Sequence, residues 1–250
     1  KAAPGEIELR ALKAGNDVML FPQDPVKAIA RIRQAVDSGE VPVEMIDHKC
    51  LKVLRAKEWA GLAARKAIDP VGIGSDLNTA QARALRRSLY RDAITVLRNR
   101  NGLLPLRALD SLRIASLVIG DSAGNGFQQA LSRYAPVRWF SCPKDLPRDS
   151  VPGLLMQLEP YDVVIASVHG TSFRAEKEFG IPDAAFELLR AVDRDHKLVT
   201  ALFSNPYRLT RAYGAQDFDG LLLTYEENDD TQDLAAQAIF GAQGASGRLP

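Results

Sequence analysis

From Ile94 onward the chain alternates short apolar runs with helical patterns, and no other feature of the 250-residue sequence limits its fold as much. The runs are 94–97, 113–119, 137–140, 162–168, 198–203 and 220–223. They are rich in Val, Ile and Leu and apolar on both faces of a strand. Helical patterns stand between them near 125–134, 148–158, 183–193, 206–213 and 228–240. Strands that are apolar on both faces and separated by helices form parallel sheets covered on both sides. The expectation is an α/β domain: a mostly parallel sheet of about five to six strands with helices on both faces. The last helix is well marked. Asn228 caps it, Asp229, Asp230 and Asp233 suit the positive end of its dipole, and Gly241 stops it.

The first 65 residues read differently: helix, strand, helix, helix. Residues 2–14 carry Ile7, Leu9, Ala11, Leu12 and Ala14 at helical spacing, with Gly15 as the stop. Residues 17–21 (DVMLF), closed by Pro22, predict a buried strand. Asp24-Pro25 opens a helix with the stripe Val26, Ile29, Ala30 and Val36, ended by Gly39. Another helix runs from about Pro42 to Ala60, with the stripe Ile46, Cys50, Val53 and Leu54. A lone strand cannot make a sheet, so it either joins the later one or is the last piece of something cut away. Residues 66–77 (KAIDPVGIGSDL) read as a linker. Asn78 and Gln81 form a capping-box-like start to a helix through about Ala93. Its Ala82, Leu85 and Leu89 are expected inside, with Arg83, Arg86, Arg87 and Arg91 mostly on a solvated face.

A formal net charge of +1 favours neither nucleic acid, an anionic membrane nor a strongly charged substrate. Cys50 and Cys142 lie far apart with no neighbour at metal spacing, which predicts unlinked thiols packed as small hydrophobes. No run approaches the roughly 18 apolar residues of a membrane span. Lys1 reads as a cut end, so the missing signal peptide says nothing about compartment.

His169 is the best functional candidate, because it ends a predicted strand and open parallel sheets bind ligands outside those ends. Arg174, Glu176 and Glu178 are its neighbours on a polar loop. The turn GDSAGNG at 120–126 could hold a phosphate on its amides. Its spacing is not G-x-G-x-x-G, and a tight strand-to-helix turn explains the glycines better. No G-x-S-x-G nucleophile elbow is present. Carboxylates are plentiful, but sequence alone pairs no two of them across a sugar.

Several stretches together resemble glycoside hydrolase family 3, and more narrowly its β-N-acetylglucosaminidase branch. Gly5-Glu6, AGND at 14–17 and MLFP at 19–22 are similar to the last helix and last strand of the family's (β/α)8 barrel. IRQAVDSGEVPVEMIDHKCLKVLRAKEWAGL at 32–62 is similar to its closing helices. NRNGLLPL at 99–106 resembles the N-x-x-x-L-L-P-L signature that starts the family's second domain. SNPY at 204–207 and GRLP at 247–250 resemble its later signatures.

The resemblance implies that residues 1–65 are the tail of a barrel, 66–77 a linker and 78–250 the second α/β domain. It implies no catalytic residue in this chain, because the nucleophile and the acid/base lie upstream of Lys1. The K-H-x-P-G-H-G context of the branch's acid/base pair is absent here. Other branches draw a Glu from the second domain. The corresponding loop, near 169–178, lacks their G-E pattern, so Glu176 and Glu178 receive no catalytic role. His169 and Arg174 become the substrate-proximal candidates. The implied chemistry is retaining hydrolysis of β-linked N-acetylglucosaminides by the complete parent, with no metal or organic cofactor. The implied partners are a carbohydrate and the missing N-terminal barrel, with no nucleic acid. The resembled branch often acts on cell-wall amino sugars, which leans towards an exported, periplasmic or cell-envelope parent.

Each large apolar side chain left exposed on residues 2–60 forfeits about 1.5–3 kcal/mol. Residues 1–65 are therefore expected to dock on the second domain, to self-associate or to be poorly ordered. The competing readings are a fragment inactive alone, a non-enzymatic carbohydrate-binding or protein-docking module, and a flavodoxin-like nucleotide binder built on the 120–126 turn.

Overall fold

The computed structural model describes residues 3, 5–64, 69–211 and 217–249. The chain divides into two compact units, Lys1–Ile73 and Gly74–Pro250.

The first unit is helical. It contains α1 (Glu6–Lys13), α2 (Pro25–Asp37), α3 (Val43–Trp59) and a 3-10 turn, Leu62–Ala64. Asp24 caps α2 through the Lys27 amide, and Gly15 and Gly39 take left-handed φ where α1 and α2 stop. Leu9, Leu12, Ala35 and Val41 form its small core, with Met19, Ile32 and Ile46 packed around it. Arg31 ties the helices together by pairing with Glu6 and Glu40.

Three expectations fail in this unit. Residues 17–21 form no strand, and Val18, Leu20 and Phe21 are 67%, 81% and 92% exposed. A strand needs a neighbour to take its backbone hydrogen bonds, and all six strands among the described residues lie in the second unit. In α2 the stripe is rotated: Val36 packs on the small core as expected, but Val26, Ile29 and Ala30 are exposed, while Ala28 and Ala35 are buried. Both stripes fit a helical period, and packing against α1 selects the alanines. Cys50 and Leu54 of α3 are also exposed, so Cys50 is not a packed hydrophobe.

The second unit follows a one-turn helix, α4 (Ile73–Leu77), with α5 (Ala80–Ala93) and then the sheet. The strands are β1 (Thr95–Asn99), β2 (Ile114–Ile119), β3 (Val137–Cys142), β4 (Val163–Val168), β5 (Lys197–Leu202) and β6 (Gly220–Leu223). Their order is β1-β6-β5-β4-β2-β3. Five strands run parallel, and β1 pairs antiparallel with β6 at one edge. The helices are α6 (Gly126–Leu131), α7 (Val151–Leu158), α8 (Asp183–Asp195) and α9 (Asp229–Phe240). The pattern near 206–213 becomes a 3-10 stretch, Pro206–Arg211, with 212 and 213 outside the described residues.

Side chains alternate across the sheet into two cores. Leu117, Ile119, Val164, Val168, Leu198 and Leu202 meet α7 and α8. Ile114, Ile165, Val199, Phe203 and Leu222 meet α6 and α9 on the other face.

The start of α5 differs from expectation: Thr79 is its cap, and Asn78 instead bonds the Gly74 carbonyl. Its apolar face is also reversed. Leu85 and Leu89 are 59% and 61% exposed, while Arg86 and Arg87 pair with Asp230 and Asp233 of α9. The helix docks through charges because the acidic first turn of α9 faces it.

Structural reasons underlie several sequence motifs. Asn99 brackets the next turn, donating to the Leu104 carbonyl and accepting from the Leu104 amide, both at 2.8 Å. Asn205 Oδ1 accepts from the Tyr207 amide at 3.0 Å. A Cβ on Gly247 would lie 2.2 Å from the Ala93 carbonyl oxygen, so the closing glycine fits where no other residue does.

Candidate functional site

The strand order fixes where to look. From β2 the chain steps outward to β3, crosses back to β4, and then runs the other way through β5 and β6. The order reverses between β2 and β4, and ligands in open α/β sheets bind outside the carboxyl ends at such a point. The loops that open there are 120–125 after β2 and 169–180 after β4. Larger grooves exist, but one of about 830 Å³ flanks α8 near Arg148 and Glu187. Another of about 830 Å³ lies at the opposite strand ends, beside Ile114 and Val137.

His169 stands at this point and is fully buried between Phe127 and Phe203. Its Nε2 lies 2.8 Å from Ser167 Oγ and 3.2 Å from Asn125 Nδ2. Its Nδ1 lies 2.9 Å from Glu227 Oε1. The hydrogen bonds settle the tautomer. Asn125 Oδ1 accepts from the Gln128 amide, so its Nδ2 faces the ring as a donor. Nε2 is therefore the acceptor, and Nδ1 donates to Glu227.

Glu227 leads into α9 and also accepts from the Thr171 amide at 3.0 Å. Burial raises its pKa, but the His169 and Thr171 hydrogen bonds outweigh that and hold it below the ordinary value. Asp121 accepts from the Ser122 amide at 2.7 Å and from Asn125 Nδ2 at 3.1 Å. The Ser122 bond is the main reason its pKa is lowered. Lys144, from the loop after β3, donates to the carbonyls of Gly170 and Gly180, each at 2.7 Å. Burial lowers its pKa, and the charge of Glu227 works against that shift.

The 170–180 loop closes on itself. The Ser172 amide donates to the Phe179 carbonyl at 2.9 Å, and Phe179 is buried. Beyond the loop, the buried Arg208 donates to the Ile181 carbonyl at 2.8 Å and pairs with Asp183 at 2.5 Å. Phe173 is 84% exposed at the tip, with the Arg174 guanidinium 5.7 Å from its ring centre.

The chemistry follows from access. Ser167, His169 and Glu227 have the connectivity of a nucleophile–base–acid chain, yet Ser167 and His169 are 0% exposed. No substrate atom reaches that serine in this arrangement. The charged and aromatic groups of the loop open to a ligand are Phe173, Arg174, Glu176, Lys177 and Glu178, all exposed. Of the two candidate residues, His169 is thus an internal strut and Arg174 is outward-facing. The 120–126 turn uses its own amides: Ser122, Gly124 and Gln128 bond Asp121, Gln128 and Asn125 side chains. That occupancy removes two of the turn's amides, Ser122 and Gly124, from any phosphate. Sequence reasoning missed Glu227 and Lys144. An acidic residue just beyond the carboxyl end of β6 was the available signal for the first.

No protein-family model matches the chain. A glycoside hydrolase family 3 β-N-acetylglucosaminidase from Paenibacillus sp. superposes on 98% of the chain with a TM-score of 0.68 at 19% identity. The β-glucoside phosphorylase BglX covers 99% with a TM-score of 0.69 at 18% identity. A Formosa agariphila protein named "Putative beta-xylosidase" is 23% identical over 99% of the chain. The chain spans 36% of the length of that relative, and 47% and 45% of the two structures. These likenesses show the fold: it is the one found in the C-terminal part of glycoside hydrolase family 3 proteins.

Proposed function

We propose that this chain is the C-terminal part of a family 3 glycoside hydrolase whose complete form cleaves β-linked N-acetylglucosaminides, and that this part is inactive alone. The coverage carries the reading. Nearly all of the chain superposes on less than half of the Paenibacillus β-N-acetylglucosaminidase, and the remainder of that enzyme has no counterpart here. Retaining hydrolysis needs two carboxyl groups about 5–5.5 Å apart across the sugar. Two carboxylates of the site are committed elsewhere, Glu227 to His169 and Thr171 and Asp121 to Ser122 and Asn125, and the exposed Glu176 and Glu178 lack the G-E pattern of a catalytic glutamate. The chain's part in the reaction is then to cover one side of the sugar with the 170–180 loop, Arg174 foremost.

The test is hydrolysis of an aryl N-acetyl-β-glucosaminide by this chain, checked for folding by circular dichroism, beside a version extended upstream through a complete barrel. A folded, silent chain beside an active extended one is expected. Turnover by the short chain would overturn the assignment. Preference of the extended protein for aryl β-glucoside or β-xyloside would replace the sugar but keep the reaction.

A further inference from the structure

Lys144 enters the switch-point crevice from one loop and ends on both necks of another. Its ammonium bonds Gly170 O and Gly180 O, the two ends of the 170–180 segment. Its stem lies over Gly120, where an added Cβ would come 2.4 Å from Lys144 Cε and 2.8 Å from Cγ. A Cβ on Gly170 would come 3.1 Å from Nζ, and one on Gly180 would come 2.8 Å from the Gly170 carbonyl. Glycine on both sides leaves a slot for one lysine stem.

The loop it closes is strained. Glu178 and Phe179 take φ of 52° and 54°, a left-handed region that non-glycine residues avoid. Such backbone persists only where its surroundings over-determine it. Buried Phe179, the Ser172–Phe179 hydrogen bond and Arg208 on Ile181 supply part of that constraint. The two charge-assisted bonds of Lys144 close the remainder.

We infer that Lys144 is a positioning residue: its ammonium fills the crevice where other open sheets hold ligands, and locks the 170–180 loop so that Phe173 and Arg174 face the sugar. The sugar in this statement rests on the function proposed above; the lock itself does not.

Trypsin reads the lock, because it cleaves after Arg174 and Lys177, both exposed on the loop. Losing two charge-assisted bonds should raise the population of the open loop by about tenfold or more, and cleavage with it. Lys144→Ala and Lys144→Met are expected to show that acceleration, and Lys144→Arg much less of it. Lys144→Met keeps the stem's packing and guards against a variant that fails to fold. n-Propylammonium supplies the atoms that Lys144→Ala removes and is expected to slow its cleavage again. A shallow depression of about 580 Å³, lined by Gly120, Asp121, Ser141 and Cys142, leads the amine to the slot.

Unchanged cleavage in both neutral variants, or no response to the amine, would overturn the lock. In the barrel-extended protein, Lys144→Met is expected to raise KM for the aryl N-acetyl-β-glucosaminide by about tenfold with kcat within about twofold. Faster cleavage with unchanged KM would uphold the lock and refute the sugar-facing loop.

Discussion

His169 Nδ1 lies 2.9 Å from Glu227 Oε1, and the bond joins the ends of β4 and β6 across the intervening β5. Glu227→Gln removes the charge while keeping the size. Hydrogen bonds to a charged group contribute about 1.5–3 kcal/mol each, so a loss of about 2 kcal/mol is expected at neutral pH. The folded pKa of Glu227 is depressed from its ordinary 4.5. Its contribution is therefore present above that ordinary value and is lost as pH falls through the folded pKa. Thermal unfolding of both chains from neutral to acid pH should show a Tm gap that closes in acid. A pH-independent gap would mean that the charge of Glu227 is not what His169 and Thr171 hold.

His169 and Arg174 are expected to separate experimentally. His169→Ala leaves Glu227 with only its Thr171 bonds and opens a gap between Phe127 and Phe203. Losing a hydrogen bond to a charged group costs about 1.5–3 kcal/mol and the gap adds a cavity term, so this variant should unfold well below the parent. Arg174 is exposed and rests on Phe173. Arg174→Ala should keep stability within about 0.5 kcal/mol and show its effect only as a higher KM in the barrel-extended protein. Equal Tm losses for the two would refute the division.

That division marks how far the sequence reads. All six strands were legible as apolar runs between helical patterns, β2, β4, β5 and β6 being buried on both faces, and the crevice at His169 follows from their order. The role of His169 was not legible. Its partner Glu227 stands 58 residues away, and no local pattern links them. The helical stripes of α2 and α5 failed for a related reason. Periodicity shows that a helix has a face but not which element will meet it. In α5 the element is the acidic start of α9, so Arg86 and Arg87 turn towards its aspartates and Leu85 and Leu89 stay out. The 17–21 run has the composition of a strand, and composition supplies no partner strand.

The α5–α9 contact gives a third prediction. Asp233 accepts from Arg87, Arg133 and Gln237. Burial works against its charge, but the arginines hold its pKa below the ordinary value. Asp233→Asn should cost about 1 kcal/mol, the scale of a partly exposed ion-pair network, and the loss should shrink in high salt. Denaturant midpoints of both chains at low and high salt would measure it. A salt-independent difference would point to the Gln237 bond instead.

The last prediction contrasts two glycines of the C-terminal segment. Gly247 donates its amide to the Ile94 carbonyl, and a Cβ there would meet the Ala93 carbonyl at 2.2 Å and Thr95 Oγ1 at 2.5 Å. Both neighbours are anchored, one as backbone and the other as a side chain bonded to Ala93 O and Tyr225. Neither yields cheaply, so Gly247→Ala should destabilise by about 1–3 kcal/mol through overpacking. Gly244 has open space around its Cβ position and is not among the positive-φ glycines. Gly244→Ala restricts only the unfolded chain and should stabilise by about 0.4–1 kcal/mol. Opposite signs of ΔTm for the pair are the expected result. A neutral Gly247→Ala would mean that the closing segment lifts away from β1 at little cost, and the tight fit at Ala93 would then not be what holds the chain's last residues in place.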